Sequence, residues 1–205
     1  MDKLIRDGKI EKGDASLCLR ILELWLKEYF KEKGGELSRE WVFPVKGYGF
    51  KDIGKGGYKP LGYDFFDGNR HKGHPAVDIF VRDRNQDLID DITGKPVDIL
   101  SVSSGVVVAI NRDWKPGSKI RGGNYIWIYN PIEKSYFYYA HLDSIFVKPG
   151  DIVEPGERIA TLGRTGLNAY PKRSPTHLHI SYLKSTGGYP RPENIYKKLR
   201  ERIKR

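Results

Sequence analysis

The run His177-Leu-His-Ile-Ser-Tyr-Leu183 sets two imidazoles one residue apart in a chain of 205 residues with only five histidines. It reads as a β-strand, on which side chains i and i+2 share a face. His177 and His179 therefore project together into one space, and Leu178 turns the other way into a core. Two imidazoles side by side suit a metal, or a metal plus a proton-transfer step.

Upstream lie more strand-like runs. Residues 99–110 (Ile-Leu-Ser-Val-Ser-Ser-Gly-Val-Val-Val-Ala-Ile) are rich in β-branched side chains. The aromatic runs Asn124-Tyr-Ile-Trp-Ile-Tyr129 and Ser135-Tyr-Phe-Tyr-Tyr-Ala140 flank a hairpin-type break at Asn130-Pro131. Residues 151–163 give two short strands around Pro155-Gly156. The sum is a mostly β (α+β) fold with an antiparallel sheet core. An amphipathic helix is expected over 14–33, capped by Asp14 or Ser16 and stopped by Gly34-Gly35. Its face carries Leu17, Ile21, Leu24 and Trp25, widened by Leu22, Leu26, Tyr29 and Phe30. A short basic C-terminal helix is expected from Pro192. The chain thus divides into an N-terminal helical extension (1–40), a catalytic-type β domain (41–190) and a C-terminal basic helix (191–205).

Composition narrows the function classes. Net charge is +10 with 30% charged residues, which favours an anionic partner such as an acidic envelope polymer, with the basic tail Lys197, Lys198, Arg200, Arg202, Lys204 and Arg205 as the contact. The basic residues are scattered and carry no specific nucleic-acid signature. No run is long and apolar enough for a transmembrane segment. Cys18 is the single cysteine, which excludes an intramolecular disulfide and a Cys-based zinc finger, and it is expected to pack within the helix. No signal peptide is visible at Met1, so the chain is either cytoplasmic or one from which an export segment has been removed.

A second cluster carries chemistry. In His74-Pro-Ala-Val-Asp78 the imidazole and carboxylate stand four apart, on one face of an extended segment, and Pro75 argues against helix interior. Asp78 sits in the apolar run Val-Asp-Ile-Phe, where a buried carboxylate must be paired or bound to a metal. Tyr138-Tyr-Ala-His-Leu142 ends an aromatic strand in a histidine. Three protein ligands and one position open to water make a catalytic zinc site, with ligand distances of ~2.0–2.2 Å. His74, Asp78 and one of His177 and His179 supply that set, and strand parity leaves open which.

These motifs, with Gly94-Lys-Pro-Val97, Ser104-Gly-Val-Val107, Gly123-Asn-Tyr125, Val147-Lys-Pro-Gly-Asp-Ile-Val-Glu-Pro-Gly156 and Leu162-Gly-Arg-Thr-Gly166, resemble the lysostaphin/LytM-type zinc metalloendopeptidases, which cut peptidoglycan cross-bridges. The likeness runs from about Phe43 to Leu183. It implies one catalytic Zn2+ held by His74, Asp78 and His179. His177 is then the general base, and His141 hydrogen-bonds the water or the developing oxyanion. It also implies action on peptidoglycan peptides in the bacterial envelope, periplasmic or secreted; the chain itself is expected to be a monomer. The alternative is an inactive domain of the same fold that regulates a partner hydrolase, although such domains lose ligands and this chain keeps all the matched positions. Departures are Ala76 where many members carry glycine, Ile-Ser after His179 where a glutamate often follows two residues on, and a long connection at 81–93. His71 reads as a loop residue, Asp83–Asp87 as a solvated acidic loop and not a calcium site, and Tyr136–Tyr139 as sheet packing.

Overall fold

The computed structural model describes residues 1–35, 38 and 40–203. Nine strands form one sheet: β1 (Ala76–Phe80), β2 (Asp98–Leu100), β3 (Gly105–Asn111), β4 (Asn124–Asn130), β5 (Ser135–Ile145), β6 (Ile152–Val153), β7 (Arg158–Leu162), β8 (His177–Thr186) and β9 (Tyr189–Glu193). Every pairing is antiparallel, along the path β1-β8-β5-β4-β3-β6, with β7 between β2 and β5 and β9 beside β8. The expected antiparallel β core is thus the observed one. Alternation along β4, β5 and β8 buries Ile126, Ile128, Phe137, Tyr139, Leu178 and Ile180 in one cluster with Ile79 and Ile99. The Tyr139 hydroxyl enters that core at no polar cost, because it accepts the Val102 N–H at 2.9 Å.

The apolar run at 99–110 is not one strand. Ser101, Ser103 and Ser104 are fully buried between β2 and β3, and the hydroxyls of Ser101 and Ser103 donate to the carbonyls of Ser103 and Ser104. Such local side-chain bonds compete with the ladder and break it. At the C-terminus, Pro192 lies in edge strand β9 and not at a helix start. A proline lacks the N–H an inner strand must donate, so an edge is where a strand tolerates it. The helix α3 (Ile195–Arg202) begins one residue after Asn194, whose side chain accepts from the Tyr196 N–H. Ile195 and Leu199 bury in the main cluster and the basic side chains face out. Lys204 and Arg205 lie outside the described residues.

The long N-terminal helix α2 spans Lys12–Glu32, with Glu11 and not Asp14 or Ser16 at its N-cap. Its buried face is Ala15, Leu19, Glu23, Leu26 and Phe30, whereas Leu17, Ile21, Leu24 and Trp25 are more than half exposed. Cys18 shares the exposed side. The helix is apolar around most of its circumference, and a polar contact identifies the docked face. Glu23 accepts the Tyr136 hydroxyl at 3.0 Å and the Ser185 hydroxyl at 2.5 Å, tying α2 to β5 and β8. A short helix, α1 (Asp2–Arg6), precedes it and packs on the 3-10 turn Phe65–Arg70. There Gly68 has φ +54, and a side chain on it would strike the backbone of Ile5 and Arg6.

Candidate metal centre and catalytic cleft

Strand register brings the site together. Asp78 on β1 lies directly opposite His179 on β8, which lies opposite Ala140 on β5. Directly paired residues share a face, so the Asp78 carboxylate and the His179 ring meet without help from loops. His74 arrives just before β1, held by reciprocal backbone bonds between His74 and Lys59. The resulting separations are 3.1 Å from His74 Nε2 to His179 Nδ1, 3.1 Å from His179 Nδ1 to Asp78 Oδ1 and 3.4 Å from His74 Nε2 to Asp78 Oδ1. Among the described residues these three form the one cluster of potential metal donors.

The donor set fits a small divalent cation. Ligands at zinc's ~2.0–2.2 Å in tetrahedral array stand roughly 3.3–3.6 Å apart, close to the spacing seen. His74 Nδ1 lies 2.5 Å from the Gly57 carbonyl, which can only accept; the proton is therefore on Nδ1, and Nε2 turns a lone pair toward Asp78 and His179. Three electron-rich atoms facing one another call for a cation or a proton between them. Burial pushes the Asp78 carboxyl up, but the flanking His179 and His74 rings outweigh it and hold the group well below the usual carboxylate range. Burial pulls His179 down, against the pull of Asp78. These two shifts favour the deprotonated forms that bind metals, whereas Asp78 raises His74, so a proton and a cation compete for the same three atoms.

His141 reaches the same space by a different device. On β5, Ala140 pairs with Tyr125 and Leu142 with Asn124, so His141 is the extra residue of a β-bulge. Its φ is +66, a left-handed conformation that a histidine seldom holds unless its surroundings impose it. Those surroundings are identifiable. The His141 N–H donates to Gly122 O and its carbonyl accepts from Gly163 N. The ring Nδ1 lies 2.7 Å from Thr165 O, while the Thr165 hydroxyl donates to Leu142 O and accepts from Asn124 N. Gly166, at φ +113, leaves room for the ring: a Cβ there would lie 2.8 Å from His141 Nδ1. Burial pulls the His141 imidazole well below its ordinary value and keeps it neutral.

His177 shares the face of His179, and its ring centre stands 5.0 Å from that of His141. Nδ1 lies 2.7 Å from the Pro175 carbonyl, so Nε2 carries the lone pair, 3.9 Å from Asp78 Oδ1. The segment leading into β8 is pinned by buried Arg164, which donates to the carbonyls of Ser174 and Pro171 and to Thr176 Oγ1. Thr176 in turn donates to buried Asp83 at 2.7 Å. Asp83 also accepts from the N–H groups of Asp87 and Leu88. The acidic loop at 83–87 is thus anchored by this internal bonding.

The five predicted residues His74, Asp78, His141, His177 and His179 all line one cleft of about 360 Å³. His71 lines it too, beyond the donor cluster, after the 3-10 turn. Of the aromatic run on β5, Tyr138 faces the cleft with Tyr63, Tyr125 and Trp127, whereas Tyr136, Phe137 and Tyr139 are buried in packing. The sequence reading missed Asp2, Arg6 and Arg121, which also line it. Arg121 had a signal, standing two residues before the Gly123-Asn-Tyr125 motif. Asp2 and Arg6 had none, because only the docking of α1 brings them to the Tyr125 hydroxyl, at 2.6 and 3.4 Å. It is α1, not α2, that frames the cleft.

The chain is similar to several known proteins. The chain is 33% identical over 116 residues to peptidoglycan DD-endopeptidase ShyB of Vibrio cholerae, a match covering 56% of this chain and 24% of that protein. The chain therefore spans about a quarter of the length of this curated relative. Among solved structures, a lytM protein from Ruminococcus gnavus superposes with a TM-score of 0.53 at 25% identity, over 80% of this chain and 60% of that one. The catalytic domain of lysostaphin from Staphylococcus simulans gives 0.45 at 26% identity, over 68% and 86%. The profile of peptidase family M23 matches residues 87–190, a span that holds His141, His177 and His179 and follows His74 and Asp78. By that match over half of its length, the chain belongs to peptidase family M23.

Proposed function

We propose that the chain is a zinc-dependent endopeptidase that hydrolyses peptide bonds in peptidoglycan stem or cross-link peptides. The observation that carries this reading is the convergence of His74 Nε2, Asp78 Oδ1 and His179 Nδ1 at 3.1–3.4 Å, with the rings of His141 and His177 beside them. Zinc held by those three residues supplies Lewis acidity toward a carbonyl oxygen and makes water a stronger acid at neutral pH. The chain's own groups do the proton work. His177, with its proton fixed on Nδ1 by Pro175, offers Nε2 as the base that takes a proton from water, and the Asp78 carboxylate at 3.9 Å supports the imidazolium that forms. His141 has its proton committed to Thr165 and is held neutral by burial, so its Nε2 accepts a hydrogen bond and orients that water. Of the two roles the resemblance implies for His141, the tautomer favours water over oxyanion.

Residues 41–190 form the catalytic unit in this reading, with 1–40 as a helical extension and 191–205 as a basic helical tail. Family membership and the ShyB likeness support a substrate in the cell wall and, with it, work in the envelope, periplasmic or outside. The net charge of +10 supports attraction to anionic wall polymers.

The test is digestion of purified sacculi by protein loaded with one equivalent of zinc, with released muropeptides read by mass. New peptide termini that vanish with a chelator and return with zinc are expected. Full zinc occupancy with no release from any sacculus type would end the hydrolase reading in favour of a regulatory domain.

A further inference from the structure

Among the described residues, one charge in the cleft is left without a counterpart. Arg121 sits at the end of the β3–β4 connection, partly buried, and lines the cleft beside the histidines. Its Nη1 donates to the His71 carbonyl at 2.7 Å, and its backbone N–H lies 3.4 Å from Asn69 Oδ1. Both anchors lie in the segment that leads into His74, which sets the guanidinium on the His74 side of the site. Among the described residues no carboxylate lies within 4.0 Å of it. The other cation in the cleft differs. Arg6 is paired with both carboxylate oxygens of Asp7, at 2.7 and 2.9 Å. Asp2 is likewise engaged by the Tyr125 hydroxyl, and Asp78 by His74 and His179.

A guanidinium has five N–H donors in a rigid planar fork, and a carbonyl on one arm satisfies one of them without neutralising the charge. A partly buried cation in that condition wants an anion, and a carboxylate meets the fork with two parallel bonds. A divalent cation at the donor cluster adds positive charge to the same cleft, so an anionic substrate is favoured over a neutral one.

We propose that Arg121 is a specificity-determining residue that grips a free carboxylate of the substrate peptide, so that acidic stem peptides are cut in preference to uncharged bridges of equal length. This rests on the endopeptidase reading given above and names the substrate class of that site. The carboxylate is either a chain-terminal one or a side-chain one, and the test separates them.

Three synthetic cross-linked stem peptides serve as probes: one with both carboxylates free, one with the chain terminus amidated and one with the side-chain carboxylate amidated. Zinc-loaded wild type, Arg121→Gln and Arg121→Lys are compared by kcat/KM, and binding to the zinc-loaded His177→Ala protein, with and without Arg121→Gln, is measured by calorimetry. Amidating the gripped carboxylate should cost wild type roughly tenfold to a hundredfold, mostly in KM, as loss of a charge-assisted bond does. Arg121→Gln should lose a similar factor on the free acid and no longer tell acid from amide, while Arg121→Lys keeps part of the preference. Equal wild-type rates on all three peptides would overturn the proposal. So would an equal loss by Arg121→Gln on all three, since a strut between loops fails without regard to substrate charge. Carboxylate-dependent binding that Arg121→Gln abolishes, with no cleavage by wild type, would leave the grip standing and sink the endopeptidase reading.

Discussion

Replacing Gly166 with alanine tests how the backbone aims His141. The residue holds φ +113, where an L side chain is strained by about 1–3 kcal/mol. The added methyl would also press on the Arg121 carbonyl and stand 2.8 Å from His141 Nδ1. Relieving such overpacking costs about 1–3 kcal/mol more. A total of roughly 2–6 kcal/mol corresponds to a fall in Tm of roughly 4–24 °C for a chain of this size. Because His141 gives way more readily than a backbone carbonyl, its ring should move by some tenths of an ångström, enough to lower turnover up to ~100-fold. The donors His74, Asp78 and His179 are not touched, so zinc content should stay at that of wild type. Thermal melts, metal analysis and peptide cleavage on the same preparation check all three. Wild-type Tm together with wild-type turnover would refute the reasoning, because it would mean that the space beside His141 is not set by the absence of a Cβ.

Other substitutions separate the roles further. His179→Ala should lose zinc, whereas His177→Ala should keep most of it and lose turnover; equal zinc in the two proteins would show the division of labour to be wrong. Glu23→Ala should lower stability by about 2–5 kcal/mol, since the Tyr136 and Ser185 hydroxyls lose their acceptor, and denaturant unfolding would expose the error if the loss were under ~1 kcal/mol. Buried Asp90 is pushed up by burial but held below the usual carboxylate range by bonds from the Tyr48 hydroxyl and the Thr93 and Ile92 N–H groups. Its folded value lies below its unfolded one, so its stabilisation is complete above about pH 5 and is lost as pH falls through the carboxylate range near ~3.9 and below. The stability gap between wild type and Asp90→Asn should therefore narrow between pH 6 and pH 3, and a gap that widened on acidification would contradict this account.

Much of the site was legible in the chain because strands carry a simple rule. The two-residue period puts His177 beside His179 and His74 on the face of Asp78; β1 and β8 then bring Asp78 into register with His179, and His74 is held just ahead of β1 by its bonds to Lys59. The same period says nothing about a bulge. His141 lies off the alternation, and its aim depends on Thr165, Gly122 and Gly166, which come from elsewhere in the fold. Arg121 and the α1 residues Asp2 and Arg6 escaped for a related reason, since their place in the cleft follows from how loops and a helix dock rather than from any local pattern.

The sequence by itself determined the antiparallel strands, the histidines available for chemistry and the parity that groups them, because burial on one face of a pleated strand is a local, periodic constraint. Tertiary structure alone decided which face of α2 is buried. Leu17, Ile21, Leu24 and Trp25 form as good an apolar stripe as Leu19, Leu26 and Phe30, yet the second stripe docks, since it also delivers Glu23 to two hydroxyls. Hydrophobic period fixes that a helix has a face to bury; only the polar partners waiting on the sheet fix which one.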